Sequence, residues 1–266
     1  MRNFLKRFYV FLIFLFLYAP IFVLMAYSFN SSRSRGTWGG FTLKWYRELF
    51  RDREIMISLK YTIIIAVLAA IIATILGTAA AIGISRMKKC PRSLVMNIRY
   101  LPVLNPDIIT GVSLMILFIF SNMNFGFTTM LIAHITFNTP YVILSVMPKI
   151  KQLDAHIYEA ALDLGASPSY AFWKVILPQL MPGIVTGFML AFTLSIDDFV
   201  ISFFTTGVGV PNLSITVFSM ARRGVNPKIN ALSTLMFLSV LVLLIIVNIR
   251  MSRDIKAKRQ KESVLT

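Results

Sequence analysis

Apolar residues fall in six long blocks, at about 8–29, 61–85, 100–120, 127–148, 180–203 and 229–249, with most charges gathered between them. Each block is close to the length at which a helix rising about 1.5 Å per residue crosses a hydrocarbon core of about 30 Å. The pattern predicts an all-α membrane protein with six transmembrane helices. The first block follows Arg2, Lys6 and Arg7, and Ala26-Tyr27-Ser28 loosely resembles a signal-peptide cleavage site. Its 22 residues, Phe8 to Phe29, exceed a signal h-region of about 7–15, so it reads as a retained first span.

The segments between blocks carry their own periodicity. Residues 39–55, GGFTLKWYRELFRDREI, place Phe41, Trp45, Leu49 and Phe50 at helical spacing with charges between them. This predicts a short amphipathic helix lying at the membrane surface, where Trp and Tyr are favoured, with contact to a partner protein as the alternative. Block two contains Ala66, Ala70, Ala73, Gly77 and Ala80, a small-residue face that admits a close helix neighbour or a subunit interface. Between blocks four and five lies EAALDLGASPSYAFWKVILP, Glu159 to Pro178. Here a helix over Asp154–Leu164 is expected to end at Gly165, and Ser167-Pro168 is expected to start a second helix running to Ile176. Pro178 and Pro182 are then expected to break the chain before the fifth span.

Composition agrees with a bilayer. Hydrophobic residues make up 57% of the 266, against about 45–50% in a soluble domain. The net charge of +16 would suggest nucleic acid in a soluble chain, but here the basic residues flank apolar spans. With the N-terminus inside, segments 1–7, 86–99, 149–179 and 250–266 hold 17 of the 27 Lys and Arg. That bias favours an N-in/C-in topology. Cys90 stands alone, so no internal disulfide is possible. The run RDIKAKRQKE, Arg253 to Glu262, reads as a basic tail beside anionic lipid.

Enzymatic chemistry finds little support. No G-x-x-x-x-G-K-[ST] phosphate loop occurs, and His134 and His156 lie too far apart in sequence to suggest a metal site. Adjacent Asp197 and Asp198 do not suit a protease, whose two carboxylates converge from different elements. His134, within HITFNTP, reads as a helix-packing hydrogen bonder in preference to a substrate or proton role, and Asn138 and Pro140 mark a kink.

The segment Glu159–Pro178 resembles the EAA loop of permease subunits of binding-protein-dependent ABC importers. That family's pattern is EAA, three residues, Gly, nine residues, then I-x-L-P. Here Glu159-Ala160-Ala161, Gly165 and Val175-Ile176-Leu177-Pro178 follow it, with Val175 in place of the usual isoleucine. NSSRSRGTWGGFTLKWY, NPDIITGVSL, HITFNTPYVI and AFTLSIDDFVISFFTTG extend the resemblance to the polyamine subgroup, and within it to the second permease subunit of spermidine/putrescine importers. The resemblance implies a type I importer half that pairs with a homologous permease subunit. Two copies of a cytoplasmic ATPase, using ATP and Mg, would bind beneath, and a periplasmic or lipid-anchored polyamine-binding protein would deliver substrate. Glu159, Ala160, Ala161, Gly165, Leu177 and Pro178 would form the ATPase-coupling element, while this chain itself would bind no cofactor. The organisation implied is 1–57 for the first span and periplasmic amphipathic loop, 58–250 for the transmembrane core with its EAA loop at 149–178, and 251–266 for the tail.

Charges inside spans are costly and usually face a cavity or a partner. Asp107, Asp197 and Asp198 qualify, and polyamines would be met by carboxylates and aromatic faces. The substrate path expected is therefore Asp198, Asp197, Asp107, Phe199 and Phe203, with Phe204 near the outer end. The alternative is that these acids cap helix ends or bond to a partner subunit. Another small cationic or organic solute, or a non-transporting membrane scaffold, are the competing readings of function.

Overall fold

A computed structural model describes residues 2–33, 37–88, 105–154, 156–223, 227–242 and 244–245, with side chains from residue 6 onward. Cys90, the start of the expected third span, the end of the sixth and the basic tail lie outside the described residues. Among those described, the regular structure is helical, apart from an isolated antiparallel bridge between Asn30 and Phe41. The helices are α1 (Arg2–Ser28), α2 (Lys44–Arg51), α3 (Arg53–Ser85), α4 (Asp107–Phe120), α5 (Phe127–Gln152), α6 (Ile157–Asp163), α7 (Pro168–Asp197), α8 (Val200–Thr205), α9 (Leu213–Arg222) and α10 (Pro227–Val242). Of these, α1, α3, α5 and α7 are long and apolar enough to cross a membrane, while α4, α9 and α10 are shorter apolar helices.

The chain divides into two compact units, 58–215 and 1–57 with 216–266. In the unit 58–215, α5 packs along α7 because glycines remove side chains at the contact. A Cβ at Gly187 would lie 3.3 Å from the Val142 Cα, and one at Gly183 would lie 3.1 Å from the Ser145 carbonyl oxygen. The small face of α3 meets α5 in the same way. A Cβ at Gly77 would fall 2.7 Å from the Val142 Cβ and 3.1 Å from the Thr139 carbonyl oxygen. Ala70, Ala73, Val142, Val146, Met147 and Ala191 fill this core. The small-residue stripe of block two is thus used in packing within the chain, as close helix approach requires. A second cluster joins Leu114 and Phe118 of α4 to Ala133 and Phe137 of α5 and Ile201 of α8.

In the other unit, α1 leaves Phe11, Phe14 and Phe16 exposed among the described residues, as suits a lipid-facing or subunit-facing helix. Behind it the chain folds back through Asn30, whose side-chain oxygen accepts from Gly39 N at 2.8 Å and Ser32 N at 3.2 Å. The Trp45 indole N–H donates to the Asn30 carbonyl at 2.6 Å. Trp45 and Leu49, four apart on α2, are buried, whereas Phe41 and Phe50 are exposed. The amphipathic helix therefore exists, with a narrower buried face than its four apolar positions suggested.

Lys228 closes this unit by pairing with Asp52 at 3.1 Å. Partial burial pushes the Asp52 carboxyl up, but the Lys228 hydrogen bond, the Ile55 N–H and the Lys228 charge outweigh it and hold the carboxyl below its usual range.

Candidate coupling loop and intramembrane polar centre

The loop begins where α5 ends at Gln152. The Asp154 carboxylate accepts the His156 N–H at 3.0 Å, a local turn that competes with helix and delays α6 to Ile157. The expected start at Asp154 is corrected accordingly. At the other end, Gly165 N donates to the Leu162 carbonyl at 2.8 Å and Ala166 N to the Ala161 carbonyl at 3.1 Å. This crossed pair is the Schellman closure, and it needs the left-handed backbone that Gly165 adopts at φ +85°. Ser167 then accepts the Tyr170 N–H at 3.3 Å, and Pro168 occupies the first helical turn.

The prolines do not break the chain. α7 runs helically from Pro168 to Asp197, taking in Pro178 and Pro182. The turn Ala171–Ile176 widens to π-helix, and Leu177 N–H bonds back to the Phe172 carbonyl. A proline ring inside a helix clashes with the carbonyl four residues earlier, and a widened turn is a recognised way to absorb such a conflict. Leu177 and Pro178 thus mark the return to α-helix, and the long apolar helix α7 is continuous with the end of the Glu159–Pro178 loop.

The loop is largely uncovered. Glu159, Ala160 and Gly165 are exposed, while Ala161 is buried against the chain. Leu164 is 90% exposed and Trp173 60% exposed, which is unusual for large apolar side chains at a helix corner. Patches of this kind mark interaction surfaces. Among the described residues, the polar contact of Glu159 is an exposed one to His156 at 3.4 Å.

The second centre lies where α7 stops at Asp197. The expected fifth span, 180–203, is here two helices with a break at Asp198 and Phe199. Both Asp198 oxygens point across that break, accepting Ile201 N at 3.1 Å and Ser202 N at 2.7 Å. Asp198 therefore caps α8, satisfying donors that would otherwise be orphaned in a low-dielectric region. Buried His134 of α5 bridges the break, with Nδ1 3.0 Å from Ser195 Oγ and Nε2 3.0 Å from Ser202 Oγ. Its Nε2 also lies 3.7 Å from Asp198 Oδ2. Asn138 donates to Ser195 at 2.7 Å and Asn212 to Ser202 at 3.0 Å. The Thr129 hydroxyl fixes the far end of α8 by donating to the Thr205 carbonyl at 2.9 Å.

The two neighbouring acids consequently differ. Asp198 has a side chain only 6% exposed and is committed to the framework. Asp197 is exposed and makes no hydrogen bond or ion pair among the described residues. Phe199 and Phe203 lie 5.5 Å apart, and Phe203 meets Phe204 edge-on at 5.4 Å. Gly111 of α4 makes room for Phe204, since a Cβ there would be 3.0 Å from its ring. Asp107 sits in the exposed first turn of α4, where the helix dipole favours a negative charge. Ser195, Ser202 and Asn212 were not anticipated, although the two serines stand three before and four after Asp198, within reach of either side of its break. No group of three His, Cys, Asp or Glu among the described residues could hold a metal ion.

Four helices long and apolar enough to cross a membrane, joined in part by a capped, exposed loop, are the architecture of a multi-pass membrane protein. The family described as "Binding-protein-dependent transport system inner membrane component" matches residues 73–253, and the chain belongs to that family. It is 37% identical to the spermidine/putrescine transport system permease protein PotC of Haemophilus influenzae, over 92% of this chain and 95% of that protein. It is 44% identical to the putrescine transport system permease protein PotI of Escherichia coli K12, over 84% of this chain and 82% of that one. Among solved structures, it shares the fold of a chain from a bacterial ABC transporter involved in the import of the acidic polysaccharide alginate. That likeness has a TM-score of 0.71 at 14% identity, covering 94% of this chain and 95% of the other.

Proposed function

We propose that this chain is the permease subunit of an ATP-driven importer that carries polyamines of the spermidine/putrescine class across the inner membrane. Near end-to-end identity of 37% to a spermidine/putrescine permease carries the reading. Fold alone would not, because the structural neighbour handles an anionic polymer. The exposed carboxylates Asp197 and Asp107, in the same unit as Phe199 and Phe203, offer the kinds of group, charge and aromatic face, that a flexible polycation needs.

In this reading the chain crosses the membrane six times with both termini inside. A homologous permease completes the pathway, and two copies of a cytoplasmic ATPase hydrolyse ATP with Mg below it. A periplasmic or lipid-anchored binding protein delivers substrate. The loop carrying Glu159, Ala160, Ala161 and Gly165 seats on the ATPase, and Leu177 and Pro178 transmit its motion directly into the fifth span. Asp197 meets the cation, Asp107 assists nearer the inner end, and Phe199 and Phe203 line the outer part. Asp198 holds the break that presents Asp197.

The test is uptake of radiolabelled putrescine and spermidine in cells lacking their own importers, expressing the complete assembly with and without Glu159→Lys. ATP-dependent uptake that is lost in the variant, with normal membrane insertion, is expected. A correctly assembled complex that moves neither amine would refute the substrate.

A further inference from the structure

Between the ends of α3 and α5 and the coupling loop lies a cleft of about 540 Å³. Its floor is apolar, from Ile82, Ile150, Ile176 and Leu180, and its rim carries Arg86, Lys151 and Tyr158. Arg86 lies over the Tyr158 ring at 5.8 Å from its centroid. Neither Arg86 nor Lys151 has a carboxylate within ion-pair distance among the described residues, and both are exposed. Asp154 also lines the cleft, but its carboxylate is turned to the His156 N–H. Two cations against one acid leave the rim positive, and an apolar floor continuous with membrane-spanning helices lies beneath it.

We propose that this cleft binds an anionic phospholipid of the inner leaflet. The phosphodiester accepts from the Arg86 guanidinium and the Lys151 ammonium, and an acyl chain follows Ile82, Ile150, Ile176 and Leu180. An amphiphile fits both halves of the cleft, whereas a soluble anion would leave the apolar floor wet and a neutral lipid would leave the rim uncompensated. The inference rests on the proposed orientation, which puts this end of the helices at the cytoplasmic face, where anionic lipid attracts basic side chains. Because Tyr158 and Ile176 belong to the coupling loop, bound lipid would bear on the segment that seats on the ATPase.

The test titrates phosphatidylglycerol into the purified assembly held in phosphatidylcholine nanodiscs and counts retained lipid by native mass spectrometry. Arg86→Gln with Lys151→Gln is expected to weaken retention by roughly 30-fold, taking each cation near an anionic surface at about a kilocalorie per mole. Arg86→Lys with Lys151→Arg should retain it, and Asp154→Asn should strengthen it. Lys174→Gln, at the same end but outside the cleft, should leave it unchanged.

Equal retention in the double glutamine variant, or equal retention of phosphatidylcholine, would overturn the site. Full competition by glycerol phosphate would replace the lipid with a soluble phosphate ester and overturn the lipid assignment. The same spectrum shows which partner subunits are present, and lipid is counted on whichever species carries this chain. Since no amine is used, failure of the polyamine reading appears only in the uptake assay.

Discussion

Substituting Gly165 isolates what the coupling loop's geometry contributes. Gly165 sits at φ +85°, and a Cβ built on it would meet nothing within 4 Å. Gly165→Ala can therefore act only through backbone conformation, not through a clash. The left-handed region costs an L-residue about 1–2 kcal/mol. Asparagine tolerates it better, and a β-branched residue worse. If the Schellman closure is the geometry that seats on the ATPase, Ala should weaken that association by about 5–30-fold at tenfold per 1.4 kcal/mol. The assay immobilises the purified permease pair and titrates ATPase across Gly165→Ala, Gly165→Asn and Gly165→Val. The expected order of affinity is Gly, Asn, Ala, Val. Wild-type affinity in Gly165→Val, or equal losses in Asn and Val, would refute the reasoning, because no steric argument remains to explain either result.

Other perturbations separate framework from path and surface. Asp197→Asn should lower uptake without changing thermal stability in detergent, while Asp198→Asn should lower both, since one charge-assisted cap worth about 1.5–3 kcal/mol is lost; indistinguishable melting of the two variants would count against the assignment. His134→Leu should destabilise by about 0.6–1.7 kcal/mol, the range for hydrogen bonds between membrane helices, because Ser195 and Ser202 keep Asn138 and Asn212; unfolding in denaturing detergent reads this. Gly77→Ala should cost about 1–3 kcal/mol by overpacking against Val142, seen as a lower melting temperature. Asp52 has a lowered carboxyl pKa, so its contribution is present above the unfolded value near 3.8 and is lost as pH falls through the lower folded value. The stability gap between wild type and Lys228→Gln should therefore be open at neutral pH and close in strong acid; a gap constant with pH would contradict it.

The local grammar of the coupling loop was legible in sequence because it depends on contacts a few residues apart. Gly165 as a left-handed cap and Ser167-Pro168 as a helix start require only backbone preferences and one side-chain acceptor. The small-residue face of α3 was legible for the same kind of reason, since its spacing repeats every three or four residues. The errors arose where backbone geometry or distant residues decide, which residue type alone does not show. Pro178 and Pro182 look like breakers locally, yet the widened turn at Ala171–Ile176 lets the helix continue. Conversely, SIDDFVIS looks like uninterrupted span. It breaks because Asp198 offers both oxygens to the next helix and because His134, more than sixty residues earlier, bonds to serines on either side.

That difference bears on how the machine could work. A break inside a span is tolerable at membrane depth only when its freed backbone groups find partners. Asp198 supplies acceptors for the N–H groups of α8, and His134 with Thr129 holds α8 to α5. The continuous helix from Pro168 to Asp197 joins the coupling loop to one side of this break without an intervening hinge. A shift of the loop by a seated ATPase would thus be delivered, along a single helix, to the residue pair Asp197–Asp198. Changing the helical register between loop and break tests this linkage. Inserting one alanine after Gln179, in the α-helical part of α7, would rotate the loop by about 100° relative to the break. ATPase activity should persist while uptake is lost. Uptake surviving that rotation with ATPase still bound would show that loop and break are not mechanically joined.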